Sequence, residues 1–324
     1  MRMSGSSGGP VRHPRRPTLA PALSRSDLDR DYLSRVGGVP ALLDDPRSRL
    51  IVLHEGRALG TPGGALALLD PRSLTIDPDS VVFLGRARAA SDGLETGSAV
   101  LAVTLSDADA EALGADGTWL ELRRVGALLD PRDAGLFTQA LALANWHRAG
   151  AFSPETGVPT QVAQAGWVRI DPSTGREHYP RTDPAVIVAV LDDDDRILLG
   201  SNIEWPESRF SLLAGFVEPG ESLEAAIVRE IYEEAGVVVT DAEYRGSQPW
   251  PFPASLMIGF EARIAPGTST EPRPDGTELR ELRWFTRAQL AADVASGSVV
   301  LPGPASIARV IIEDWFGGAI EEPS

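Results

Sequence analysis

Between residues 33 and 122 short apolar runs alternate with turn residues: Leu50 to Leu53, Val81 to Leu84, Ala99 to Val103 and Trp119 to Leu122. Their length and their Gly, Pro, Asp and Ser boundaries are those of strands, so a β-rich first domain is expected over residues 31–148. From Asp133 to His147 the spacing changes. Leu136, Phe137, Ala140, Leu141 and Ala144 recur at helical intervals and predict a helix that closes this domain. Residues 149–180 lose that periodicity and gain Gly, Pro, Ser and Thr, as an inter-domain segment would. A second domain is expected over residues 181–318, opening with strand-like runs at Ala185 to Leu191 and Arg196 to Leu199. Four successive carboxylates, Asp192 to Asp195, join those runs. A metal is one reading of them, but between two strands they are expected to be a solvated hairpin turn without chemistry.

One stretch, Gly215 to Val237, carries chemistry. Pro219-Gly220 makes a turn, Ser222 can cap a helix, and Gly236 stands where a helix stops. Leu223, Ala226, Ile227 and Ile231 form an apolar stripe, while Glu230, Glu233 and Glu234 fall at i, i+3 and i+4 on another face. Like charges so placed destabilise an isolated helix by a few tenths of a kcal/mol per pair, so a cation should compensate them. Oxygen ligands select Mg²⁺ or Mn²⁺, a diphosphate can complete the coordination, and a carboxylate left free can deprotonate water.

Composition narrows the rest. The chain has 324 residues, 43% of them apolar, enough for two domains. It has no Cys, which excludes disulfides, a thiolate nucleophile and thiolate zinc, and confines the expected metal to the acidic cluster. It has no Lys either, so all 30 basic residues are Arg and Schiff-base chemistry is excluded. A net charge of −16 argues against a general nucleic-acid binder. Only the first 40 residues, with seven Arg against three Asp, are basic, and residues 1–30 are expected to be a disordered arm. No apolar run is long enough for a membrane span, and the basic start lacks the apolar core of a signal peptide, so a soluble, cytoplasmic protein is expected. No G-x-G-x-x-G follows a first strand, which disfavours a dinucleotide-binding dehydrogenase.

The string from Gly215 resembles the Nudix box, G-x5-E-x7-R-E-U-x-E-E-x-G-U with U aliphatic, through Gly215, Glu221, Arg229, Glu230, Ile231, Glu233, Glu234, Gly236 and Val237. With seven fixed residues at about 5% usage each, a chance match is on the order of 10⁻⁹ per window. The resemblance implies an α/β/α sandwich with a mixed sheet. It also implies metal held by Glu230, Glu233 and Glu234 with the carbonyl of Ala214, and Glu221 and Arg229 fixing the loop against the helix. Which glutamate acts as base varies in the family; Glu234 is the first candidate.

A second string, Ser247-Gln248-Pro249-Trp250-Pro251-Phe252-Pro253-Ala254-Ser255, alternates prolines with aromatics. Such a loop is stiff and can present ring faces and the Gln248 amide to a planar base. From the residues alone, a loop packing its own aromatics is an equal reading. The string is similar to the SQPWPFPxS motif of the NADH pyrophosphatases, which also implies a metal ligand at Glu278 and substrate contacts from Phe216, Tyr179, Ala308 and Gln248 to Ser255. By that resemblance Phe216 and Tyr179 sandwich the nicotinamide; packing in the domain junction is the other reading of Tyr179. The implied activity is hydrolysis of NADH or NAD⁺ by a homodimer. NAD-cap removal from RNA and cleavage-free NAD sensing are the alternatives. Family members hold zinc through two Cys-x-x-Cys pairs. Here the matching positions are Ser153, Thr156, Asp171 and Thr174, so no structural zinc is expected and the segment is expected to keep its ribbon path by hydrogen bonds. His147 and His178 are the remaining candidates to bind metal there.

Overall fold

The computed structural model describes residues 17–113 and 118–322. The first domain contains β1 (Leu28–Asp29), α1 (Pro40–Asp44), β2 (Arg49–His54), β3 (Arg57–Gly60), β4 (Val81–Ala87), β5 (Ala99–Thr104), α2 (Asp107–Ala112), β6 (Thr118–Leu120), α3 (Leu122–Val125) and α4 (Pro131–Ala149). Its strands form one sheet ordered β1-β4-β5-β2-β3-β6. Alternation along β4 explains the two-sided core. Val82 and Leu84 pack toward Phe137 and Leu141 of α4, while Val81 and Phe83 pack toward Val39 and Leu42. The run from Trp119 to Leu122, expected as a strand, pairs with β3 at Trp119 and Leu120 alone; Leu122 already opens α3.

The residues between the domains form a small antiparallel sheet of β7 (Gln161–Ala163), β8 (Val168–Ile170) and β9 (Glu177–His178). Its anchor is Asp171, fully buried. Asp171 accepts hydrogen bonds from Thr156 Oγ1 at 2.5 Å, from Ser173 N at 2.8 Å and Ser173 Oγ at 2.6 Å, and from Ser153. These donors, Ser173 first, hold the carboxyl well below the usual carboxylate range. Three of the four positions that match zinc ligands thus join a hydroxyl–carboxylate knot. Thr174 stands outside it, accepting from Arg176 N at 3.3 Å. His147 is not free for a metal: Nε2 donates to Gly166 O at 2.8 Å and Nδ1 accepts from Arg169 at 2.8 Å, while burial lowers its pKa and keeps it neutral. Asp171→Ala should therefore lower the melting temperature by several degrees and speed amide exchange across residues 150–178, leaving the glutamate helix protected. An unchanged melting curve would show that the knot is dispensable.

The second domain contains β10 (Asp183–Leu191), β11 (Ile197–Asn202), β12 (Leu213–Phe216), α5 (Leu223–Ala235), β13 (Val239–Trp250), β14 (Ser255–Ile264), β15 (Leu279–Phe285), α6 (Arg287–Ala295) and α7 (Ile307–Phe316). The sheet runs β13-β14-β10-β11-β15, with β12 also paired to β10, and the β10–β14 pair is parallel in a largely antiparallel sheet. Alternation along β10 builds the sandwich. Val186, Val188 and Val190 pack with Ala226, Ile227 and Ile231 of α5, whereas Ile187, Ala189 and Leu191 pack with Leu290, Ile307 and Ile311 of α6 and α7. No described helix is long and apolar enough to cross a membrane.

Two expectations are corrected here. Asp192 to Asp195 do form the β10–β11 turn, but Asp192 is buried, accepting from Arg196 N at 2.8 Å and Arg196 Nε at 2.7 Å, and Asp195 pairs with Arg287 at 2.7 Å. The turn is solvated at Asp193 and Asp194 but ion-paired at Asp192 and Asp195. Residues 1–16 of the expected arm lie outside the described residues, but 17–30 are packed. Leu19 N donates to Arg245 O at 2.7 Å, Leu23 is buried, and Leu28 pairs with Ala87. Apolar Leu19, Leu23 and Leu28 outweigh the local Pro and Ser content, so this segment straps the first domain to the second.

Candidate active site

The acidic helix forms where its local signals place it. Ser222 Oγ accepts from Ala225 N at 3.2 Å at one end, and Gly236, at φ 68°, returns its N–H to Tyr232 O at 2.8 Å at the other. Ahead of it the turn at Pro219-Gly220 brings Glu221 back toward the helix, with Glu221 N on Glu218 O at 3.1 Å. Arg229 grips Glu221 with two bonds of 2.8 Å and also bonds Phe216 O at 3.0 Å. That clamp holds the Glu221 carboxyl down at about 2. The same guanidinium reaches Glu230 at 2.9 Å and Glu233 at 3.0 Å, so one cation orients three carboxylates.

Glu234 is in a different situation. It is 8% exposed, one carboxylate oxygen has no hydrogen-bond partner, and a hydrogen bond with the Ala214 backbone favours its charged form. Burial, then the charges of Glu230, Glu278 and Asp275, push its pKa up to about 8. Burial also raises Glu230, with Glu233 and Glu278 adding to the effect against Arg229. Glu278, immediately before β15 and exposed, thus lies within electrostatic reach of the helix carboxylates. The Glu230 carboxylate fills the space beside Gly215: a Cβ there would stand 2.0 Å from its Cδ. Ala214 is on β12 opposite Ile187, under the same helix.

The Ser247 to Ser255 string is not an extended surface loop. Ser247 to Trp250 end β13, Pro251 to Ala254 turn, and Ser255 opens β14, giving a hairpin with a cis Phe252–Pro253 bond. Gln248 is fully buried with its amide consumed, accepting from Leu23 N at 3.3 Å and donating to Ala305 O at 3.0 Å. It braces the strap and the approach to α7 and does not present its amide to a base. Pro249 pairs with Leu256 within the hairpin, and Pro251 and Pro253 carbonyls accept from Asn145 Nδ2 at 2.9 and 3.5 Å, tying the turn to α4. The rings pack on one another as well: Trp250 meets Phe252 edge-on at 4.9 Å.

Trp250 nevertheless faces a cavity of about 450 Å³ that Ala308 also lines, together with Trp205, Arg209, Met257 and Arg123. Ala308 N is engaged by the Ser306 cap at 3.2 Å, so its backbone N–H is shared before any ligand arrives. Phe216 and Tyr179 are 57% and 62% exposed, and Tyr179 is therefore not packed into the domain junction. Its hydroxyl is held by Glu177.

Two family descriptions match. A NUDIX domain covers residues 181–301, and an NADH pyrophosphatase-like rudimentary NUDIX domain covers residues 47–146. The "NAD-capped RNA hydrolase NudC" of Mycobacterium bovis is 42% identical over 308 residues, 87% of this chain and 94% of that protein. The chain belongs to the Nudix hydrolases. The Mycobacterium tuberculosis protein of the same description is 41% identical over the same span, and the human "NAD-capped RNA hydrolase NUDT12" is 38% identical over 200 residues, 58% of this chain and 43% of that one.

Within this Nudix hydrolase, Arg123, Trp205 and Arg209 line the cavity without having been singled out in the sequence. Arg209 lies over Trp205 at 5.0 Å, in the segment Glu204-Trp205-Pro206-Glu207-Ser208-Arg209 that precedes the box. Its Trp-Pro and Arg content was a readable signal. Arg123 carried none, because it reaches the cavity from the other domain. The carboxylates of the acidic helix and Glu278 do not form a group of three ligand atoms within 4.8 Å of one another. Among the described residues, His54, Glu55 and Asp107 bring ligand atoms within 4.8 Å of one another on the first domain.

Proposed function

We propose that this Nudix hydrolase cleaves the pyrophosphate of NADH or NAD⁺, giving reduced or oxidised nicotinamide mononucleotide and AMP. The observation that carries the reading is the buried, partnerless oxygen of Glu234 in the field of Glu230, Glu278 and Asp275, with a cavity lined by Trp250 and Ala308 that reaches Ile187, the strand partner of Ala214. The donor set fits a divalent cation: oxygen atoms only, in excess negative charge, with one buried oxygen unpaired. Glu230, Glu233, Glu234 and Glu278, with the Ala214 carbonyl, would hold Mg²⁺ or Mn²⁺. Bound there, the ion would neutralise the pyrophosphate and polarise the phosphorus under attack.

The residues of the chain divide the remaining work. Arg229 holds Glu230 and Glu233 in register and locks Glu221 against the loop, so the cluster is organised before substrate arrives. Phe216 and Tyr179 offer exposed ring faces for the nicotinamide, and Trp250 with Arg123 and Arg209 lines the cavity for the rest of the dinucleotide. A carboxylate of the cluster, Glu234 first, takes the proton of the attacking water. Water oxygen then bonds one phosphorus, the bond from that same phosphorus to the bridging oxygen breaks, and the bridging oxygen leaves with the other phosphate, giving two monophosphates. Chromatography of products from NADH, NAD⁺, ADP-ribose and FAD with Mg²⁺ or Mn²⁺ tests this: AMP and the nicotinamide mononucleotide are expected from the first two, and no AMP from NADH would sink the reading.

Removal of an NAD cap from RNA cuts the same bond, and both mycobacterial relatives carry that description. The reading also includes a cytoplasmic homodimer, for which exposed Tyr32, Leu33 and Val36 offer an apolar face. Light scattering that found one chain per particle would refute the dimer.

A further inference from the structure

We propose that an arginine-lined groove between the first domain and the Pro251–Pro253 turn holds the phosphodiester chain of an RNA whose 5′ end carries the dinucleotide. This rests on the reading of the pocket given above. The groove encloses about 910 Å³ and is lined by Arg57 of β3, Trp119 of β6, Arg123 and Arg124 of α3, Arg148 at the end of α4, and Phe252. Only Glu55 and Glu121 oppose the four guanidinium groups in its lining. In a chain of net charge −16 such a surplus is not background.

The cations are available. Arg124 touches Glu121 at 2.9 Å yet its side chain is 82% exposed, and Arg57 lies 3.7 Å from Glu55, too far for a hydrogen bond. The Arg148 hydrogen bond goes to the neutral Asn145 at 2.9 Å. Arg123 is spread over the Phe252 and Trp250 rings, at 4.1 and 5.3 Å from their centroids. Guanidinium groups interleaved with aromatic rings suit single-stranded nucleic acid, whose phosphates want cations and whose bases want flat faces.

Continuity with the cavity favours RNA over an unrelated acidic ligand. Groove and cavity share Arg123, and the Trp250–Phe252 ring pair joins them. A strand tethered to a dinucleotide in the cavity therefore has an adjoining cationic path. The path is built by the first domain, α3 and α4 above all, which gives that domain a task in substrate choice.

The test compares free NADH with a short NAD-capped oligoribonucleotide on the full chain carrying Arg124→Glu and Arg148→Glu together, residues outside the cluster and the cavity. The expected result is unchanged turnover of NADH, and a KM for the capped RNA raised by about tenfold or more at low salt. The log–log salt dependence for the capped RNA should also become shallower by roughly 0.7 per lost phosphate contact. Anisotropy of the labelled capped RNA in Ca²⁺ gives the same comparison without turnover. Equal losses on both substrates, or none on the RNA, would overturn the groove. So would a wild-type KM and salt slope that match those of NADH. Failure of the wild type to cleave NADH would instead strike the proposed activity and leave the anisotropy result standing.

Discussion

Glu234→Gln should abolish most turnover while making the metal-free protein more stable. A carboxylate that binds cation and takes the proton of water accounts for about 10²–10⁴ in rate, and the isosteric amide does neither. Stability moves the other way, because the native structure buries one oxygen of this side chain without a partner. The folded-state pKa of about 8 lies above the ordinary carboxyl value, so between the two the folded protein holds a proton that the unfolded chain has lost. Wild-type stability therefore falls as pH rises from about 4 toward 8 and levels off above that. The amide has no such slope. The difference should be near zero at the acid end and reach roughly 2–4 kcal/mol at pH 8, several degrees in melting temperature. Saturating Mg²⁺ should reverse the order, since only the wild type gains from binding. Melting curves of both proteins across pH, with and without Mg²⁺, check this. Coincident metal-free curves would refute the strained carboxylate, and intact turnover would refute its role.

A single methyl group at Gly215 should have nearly as large an effect on activity by a different route. The Gly215 backbone does not require positive φ, so alanine strains nothing locally, but its Cβ would meet both Glu230 carboxylate oxygens at 2.2 Å. The far end of a side chain can swing away, and the fold should survive with little change in melting temperature. The carboxylate, however, leaves both Arg229 and the cluster. Catalytic efficiency should fall by about 10–100-fold, with the Mg²⁺ requirement shifted to higher concentration. A titration of rate against Mg²⁺ decides it. An unaltered midpoint would mean that Glu230 is not a ligand.

What the sequence made legible follows the range of the forces involved. The acidic helix is bounded by Ser222 and Gly236 and patterned by its own stripe, so its ends, its buried face and its carboxylate face follow from residues within about four positions of one another. The apolar run Ala185 to Leu191 likewise foretold a strand, while the covering of its two faces by α5 and by α6 and α7 is seen only in the fold. Gln248 and Asp192 were misread because polar residues in turn-like strings normally face water. Their burial depends on partners 225 and 57 positions away in one case and on a strand end in the other: Leu23 and Ala305 for Gln248, Arg196 for Asp192. The strap at residues 17–30 was hidden by composition, since three leucines spaced among Pro and Ser give no period. Arg123 was invisible for a simpler reason: nothing local tells an arginine that another domain will lend it a cavity.

The knot at Asp171 also sets the conditions under which this enzyme can be expected to work. A ribbon pinned by thiolates and zinc depends on metal supply and on reduced sulfur, and oxidation of one ligand releases the ion and loosens the junction. Hydroxyls and a carboxylate have no such oxidation state to lose and no ion to surrender. With no cysteine anywhere in the chain, peroxide or zinc starvation has no handle on the joint between the two domains. An enzyme with the activity proposed above can thereby stay folded through the oxidative episodes that alter the supply of its substrate.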